Sequence, residues 1–202
     1  MKKFWKWGIV CLCLGLWIAI GDLAADKRQL SDGLVRLHVV GESNSEVDQQ
    51  VKLGVKNAVV DYLRSVMEDC PDPDSARDFL AENLDVLSAV ANDRLNAMGI
   101  CSTATVQMGR EAFPVRVYDS FTLPAGVYHS LRITIGEGEG RNWWCVVFPT
   151  LCFAATAEDL DAVAASAGFS RELTGAITGE ADYEVRFFLL DALGRLENMF
   201  HR

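Results

Sequence analysis

The N-terminus constrains this chain most. Lys2, Lys3 and Lys6 precede Gly8 to Gly21 (GIVCLCLGLWIAIG), a stretch with no charged side chain before Asp22. A positive segment followed by a short apolar run has the build of an export signal, and Leu23-Ala24-Ala25 offers small residues for cleavage after Ala25, at a site that Asp22 crowds. The run is shorter than the roughly 18 residues of a comfortable bilayer span. Residues 1–25 are therefore read as a signal peptide or membrane anchor, residues 26–33 as a polar linker, and residues 34–202 as one domain on the extracytoplasmic side.

Charge narrows the partners. The chain carries 19 basic and 28 acidic side chains; without the leader's three lysines and Asp22 there remain 16 and 27, a net charge of −11. Such a domain repels the phosphates of nucleic acid and the surface of an anionic membrane, and attracts basic patches. Nucleic acid is excluded as a partner, and membrane contact is expected only through the N-terminal segment. Half of the residues are hydrophobic, enough for a packed core.

Hydrophobic periodicity then divides the domain. Leu34 to Val40 (LVRLHVV), between Gly33 and Gly41, reads as a buried strand. Ser45 with Asp48 marks a helix N-terminus, and Val47, Val51, Val55, Val59, Tyr62 and Val66 recur at helical spacing until Cys70-Pro71. A second helix is expected from Asp74 or Ser75 to Gly99. Alternation follows at Ala104, Val106 and Met108 and again at Val115 and Val117, predicting two antiparallel strands. Leu131, Ile133 and Ile135 and the run Trp144 to Phe148 predict two more, paired around Gly136 to Gly140. A weak helix is expected over Glu158 to Ala167. Val185, Phe188, Leu189, Ala192, Leu196 and Phe200 define an amphipathic terminal helix that closes the domain. The class is α+β: β-α-α, an antiparallel strand cluster, and a C-terminal helix.

Candidate chemistry is sparse. Gly136-Glu137-Gly138-Glu139-Gly140 is not a phosphate loop, because no Lys-Ser/Thr follows and two carboxylates repel phosphate. It also lacks the oxygen ligands of a calcium loop. It is either a solvated acidic hairpin or a contact loop for a partner. Of Trp143 and Trp144, alternation places one inward and, on a strand covered on one side only, leaves the other near the surface; at least one is expected in the core. HExxH, GxSxG and CxxC are absent, and no metal or cofactor site is expected. Cys145 with His38 is the one pair that would make a thiolate nucleophile, the basis of an alternative reading as an exported cysteine hydrolase acting on cell-wall material. Cys70, Cys101, Cys145 and Cys152 otherwise form disulfides or remain buried thiols; Cys145 with Cys152 is the preferred pair, since Pro149 lets the chain bend back between them.

Three segments carry a resemblance: Arg36-Leu37-His38-Val39-Val40-Gly41-Glu42-Ser43-Asn44-Ser45 with Asp48-Gln49; Leu123-Pro124-Ala125-Gly126-Val127-Tyr128; and Ile135 to Phe153, IGEGEGRNWWCVVFPTLCF. They resemble the stage II sporulation protein R family. The resemblance implies a non-enzymatic signalling protein, exported from the forespore into the space between forespore and mother cell. There it would be needed for a membrane-embedded sporulation aspartic protease to process pro-sigma-E. It supplies no catalytic residue. Glu137, Glu139, Arg141 and Trp143 are the expected partner contacts, with Cys145 and Cys152 holding the local shape, while residues 154–178 depart from the family pattern.

Overall fold

A computed structural model describes residues 2–67, 70–149, 164 and 167–201. Helix α1 (Lys2–Gly33) leads into strand β1 (Val35–Val40), followed by helices α2 (Glu46–Met67), α3 (Pro73–Glu82) and α4 (Leu84–Ala97). Then come strands β2 (Ala104–Phe113), β3 (Arg116–Val117), β4 (Thr122–Leu123), β5 (Gly126–Ile135) and β6 (Asn142–Phe148). Helix α5 (Arg171–Thr178), a 3-10 turn (Ala181–Tyr183) and helix α6 (Glu184–Phe200) complete the described chain. The α+β class holds.

Strand β1 lies in the middle of a four-stranded sheet of order β2-β5-β1-β6. It pairs parallel with β5 (Leu37 opposite Leu131) and antiparallel with β6 (Leu37 opposite Cys145), while β2 pairs antiparallel with β5. All six β1 residues are buried, as an unbroken β-branched run requires. Two sequence expectations fail here. The strands flanking the glycine loop do not pair, because β1 separates them. Nor does Ala104–Met108 pair with Val115–Val117: β2 continues to Phe113 against β5, and β3 makes a small separate hairpin with β4. Local alternation defines strands but cannot reveal that a strand from 90 residues earlier takes the place between them.

The helices α2, α3 and α4 cover one sheet face. Val55, Val59, Leu63, Leu80, Leu87, Ala91 and Leu95 pack there on Leu37, Val39, Leu131 and Ile133. The α2 start is as expected, with Asp48 N–H donating to Ser45 Oγ at 3.0 Å. The long second helix is broken at Asn83, whose side chain donates to Phe79 O (2.8 Å), so α3 and α4 are separate. Asp72, one residue before Pro73, caps α3 by accepting from Ser75 N–H at 2.9 Å.

The opposite face holds a second core of Leu30, Leu34, Phe113, Leu123, Tyr128, Val146, Leu173, Ile177 and Leu190. Residues 26–33, expected as a linker, are instead the last turns of α1. Leu30 is buried, Asp26 pairs with Arg186, Lys27 Nζ lies 2.9 Å from Glu197, and Gln29 Oε1 accepts from Ser170 N–H at 3.0 Å. The polar composition that signalled solvent makes specific bonds to α5 and α6. Helix α5, not anticipated, is capped by Ser170, whose Oγ accepts from Leu173 N–H, and it ends at Gly179 with φ +79°. The helix expected over Glu158–Ala167 lies outside the described residues apart from Ala164 and Ala167.

Helix α6 closes this face with its polar side. Asp191 accepts from Ala125 N–H (2.9 Å), Glu197 from Val127 N–H (3.1 Å), and Asn198 donates to Phe113 O (2.8 Å). Leu190 and Gly194 are the buried positions. A Cβ at Gly194 would fall 1.6 Å from Ala125 O, so only glycine lets the helix backbone come this close. Gly194→Ala is therefore expected to lower stability by about 1–3 kcal/mol. It should also speed amide exchange in residues 184–200, read by thermal denaturation and hydrogen exchange; unchanged values would contradict this seating.

Candidate partner-contact site

Because β1 separates β5 from β6, the connection Gly136–Arg141 must cross over the C-terminal end of β1. It lands on the loop that leaves β1. Gly140 N–H donates to Gly41 O at 2.8 Å and Glu139 N–H to Glu42 O at 3.1 Å. Arg141 N–H donates to Asn44 Oδ1 at 2.9 Å, and Gly136 N–H to Thr103 O at 2.9 Å. The glycines have separate reasons. Gly136 and Gly138 adopt φ +57° and +67°, while a Cβ on Gly140 would sit 2.4 Å from Ser43 O. Two segments more than 90 residues apart are thus bonded into one double loop.

Polar side chains fasten it from beneath. Lys52, buried on α2, donates to Arg141 O and to Gln49 Oε1, each at 2.7 Å, and Gln49 Nε2 donates to Ser43 O at 2.7 Å. Burial, helped by the nearby Arg141 charge, lowers the Lys52 pKa. Hydrogen bonds from Ser43 and Ser45 lower that of Asp48, and Ser102 donates to Glu42. Glu137, Glu139 and Arg141 are all exposed on this platform. Arg141 also borders an open groove with Val47, Gln50, Met98 and Ile100.

Trp143 and Trp144 point to opposite sheet faces, but neither is exposed, because both faces of the sheet are covered. This corrects the expected inside-outside division. Trp143 packs against the α2–α4 core with Lys56 Nζ 4.8 Å from its ring centroid. Trp144 stacks on His38, centroids 3.8 Å apart and planes 17° from parallel. Cys145 is buried and disulfide-bonded. Its expected partner, Cys152, lies outside the described residues. Cys101 is an exposed free thiol.

The pairing of Cys145 with His38 fails on geometry. Cys145 is opposite Leu37 in the β1–β6 register and belongs to the helix-side core, whereas His38, opposite Trp144, projects from the other face. A sheet separates thiol from imidazole, and the sulfur is already bonded.

His38 instead centres a network that sequence reasoning missed. Its Nδ1 bonds Glu111 Oε2 (3.1 Å) and its Nε2 bonds Asn142 Oδ1 (3.0 Å). Ser130 Oγ donates to Glu111 Oε2 (2.7 Å), and Arg132 Nη1 donates to Glu111 Oε1 (2.8 Å). Burial alone would raise the Glu111 pKa, but the bonds from His38, Ser130 and Arg132 outweigh it and hold the carboxyl down at about 2. Both His38 nitrogens are occupied, and Glu111 is a fixed anion with three donors. The group clamps β2, β5, β1 and β6 together across their width. Below it, Arg36 is fully buried with its guanidinium 4.2 Å from the Phe113 centroid and 4.8 Å from that of Tyr128, and donates to Tyr118 OH at 3.1 Å. The missed signal was alternation of Thr105, Gln107, Gly109 and Glu111 with Val106 and Met108, which extends the strand to the carboxylate.

The α+β sheet thus has its first strand set between two later ones, a bonded loop pair at one end and a side-chain clamp on one face. Residues 31–158 match the family model described as stage II sporulation protein R. That span covers both loops and the whole His38 network, and the chain belongs to the stage II sporulation protein R family. A relative from Bacillus subtilis (strain 168), "Stage II sporulation protein R", is 33% identical over 124 residues, 61% of this chain and 55% of the relative; the match thus spans about half of that protein's length. No solved structure matches.

A depressed carboxyl stabilises the fold above its unfolded pKa and ceases to do so as pH falls through the folded value. The Glu111 contribution should be complete above about pH 4.5 and be lost towards about pH 2. Glu111→Gln is expected to cost about 1–3 kcal/mol at pH 7 and to flatten the decline across that interval. Denaturant titrations at stepped pH check it; an unaltered profile would show that the clamp bears no load.

Proposed function

We propose that this chain is an exported sporulation signal that activates, by binding, a membrane-embedded aspartic protease, so that pro-sigma-E is processed in the mother cell. Membership of the family supports the sporulation role, and the family resemblance set out from the sequence supplies the protease and its substrate. The carrying observation is the bonded loop pair. The first and last of the three segments that carry the resemblance meet there, and a rigid backbone presents Glu137, Glu139 and Arg141 to solvent.

The chemistry is recognition. A messenger that binds the working form of a protease better than its resting form shifts the balance by that difference alone. Moving a protease from mostly resting to mostly working takes about a 10⁴-fold preference, within reach of a few desolvated charged contacts on a preorganised surface. Two carboxylates and a guanidinium on one fixed loop suit a partner surface of mixed charge with a basic centre, and the half-buried Trp143 supports them from below. The N-terminal leader accords with delivery across the forespore membrane into the intermembrane space.

The test is reconstitution. Protease and pro-sigma-E are placed in proteoliposomes, the full chain is added on the outer side, and precursor cleavage is followed. Cleavage should depend on the chain, and Glu137→Ala/Glu139→Ala should reduce it roughly tenfold or more, as loss of two charged interface contacts implies, while the melting temperature is retained. Cleavage without the chain would dismiss the role. Equal cleavage with the double variant would remove the loop from it.

A further inference from the structure

Helix α6 faces the wrong way for a helix that seals a core. Its polar residues Arg186, Asp191, Glu197 and Asn198 are spent inward, on Asp26 and on the backbone of residues 113–127. Its apolar stripe points out: Val185, Phe188, Leu189, Leu193, Leu196, Met199 and Phe200 are exposed, Phe188 by 69%, Met199 by 70% and Phe200 by 88%. These positions recur at i, i+3, i+4 spacing along the side opposite Leu190 and Gly194. So large a contiguous apolar face on a soluble surface marks a contact. The family match ends at residue 158, so nothing in that match accounts for this helix.

We propose that the outward face of α6 lies in the headgroup region of a lipid bilayer, as a second membrane contact beside the N-terminal segment. Three observations select lipid. The first is continuity. Helix α6 is clamped to α1 through Arg186 with Asp26 and Glu197 with Lys27, and α1 is one helix back to Lys2, with exposed Leu14, Trp17 and Ile20 on its apolar stretch.

The second is height. Asp26 follows Ile20 by six residues, about 9 Å of helix rise. With Ile20 of the apolar stretch at the edge of the hydrocarbon, Asp26 and the α6 arginine bonded to it stand at the level of the headgroups, where amphipathic helices lie. Among the described residues no helix is long and apolar enough to cross a membrane. A second apolar element at the same level supplies area that α1 lacks.

The third is charge. The segment carries two arginines and three acidic residues, and the exported part is acidic, so the contact is apolar rather than electrostatic.

Full-length chain is reconstituted with phosphatidylcholine vesicles whose acyl chains carry bromine, which quenches tryptophan on contact. Phe188→Trp and Phe200→Trp place probes on the exposed face, and Val86→Trp, exposed on α4 beyond the opposite sheet face, is the control. Relative to wild type, the tryptophans at 188 and 200 should lose most of their emission and the one at 86 little, with no relief at high salt. Probes at 188 and 200 quenched no more than the one at 86 would overturn the proposal and assign the face to a protein. Quenching that vanishes in high salt would overturn it as well. No protease is present, so the outcome is independent of the signalling role.

Discussion

The structure depends on the insertion of β1 between β5 and β6. Six residues of this strand are buried on both faces, with Leu37 and Val39 in the helix-side core and Arg36 and His38 on the other side. Every ladder hydrogen bond β1 makes joins segments roughly 90 or more residues apart in sequence. Such contacts bring their enthalpy only after a long loop has closed, so the sheet forms as a unit or not at all. The connection from β5 to β6 can no longer be a tight hairpin. It must bridge β1, and in bridging it meets the chain leaving β1. The bonded double loop follows from strand order.

Rigidity is what the proposed messenger role requires. A floppy acidic loop would lose on binding the entropy that a preformed one has already surrendered during folding. Here the backbone amides of residues 136, 139, 140 and 141 are all donated to neighbouring segments, and Lys52 ties the loop from below. The His38–Glu111–Arg132 clamp performs the related task across the sheet, fixing the four strands whose ends carry the loops. Each is a buried or half-buried polar group with its partners in place, the condition under which such groups specify one arrangement rather than several.

Much of this was legible before any coordinates. The β1 strand, the Ser45 cap, the α2 stripe and the existence of β5, β6 and the terminal helix all follow from local pattern, and the family from the resemblance of three segments. Strand order was not legible, because period-two alternation fixes which residues share a face and is silent about neighbours. The break at Asn83 was missed because a continuous stripe of leucines spans it. Residues 26–33 read as linker because their polar side chains find protein partners instead of water. The α6 stripe was found, but a stripe alone says that something apolar is contacted, not what; the side turned inward was set by Gly194 and by carboxylates seeking backbone amides at residues 125 and 127. The candidate contacts Glu137, Glu139 and Arg141 stand exposed together on one loop, whereas the pairing of Cys145 with His38 dissolves once the register places them on opposite faces.

The central claim is that the loop after β5 is locked to the loop after β1. Amide hydrogen exchange at Glu139 and Gly140 measures this directly. The account predicts that these two amides exchange slowly, with protection comparable to that of the β1 ladder, while the side chains of Glu137 and Glu139 remain open to solvent. Exchange at the rate of an unstructured glycine-rich loop would contradict it.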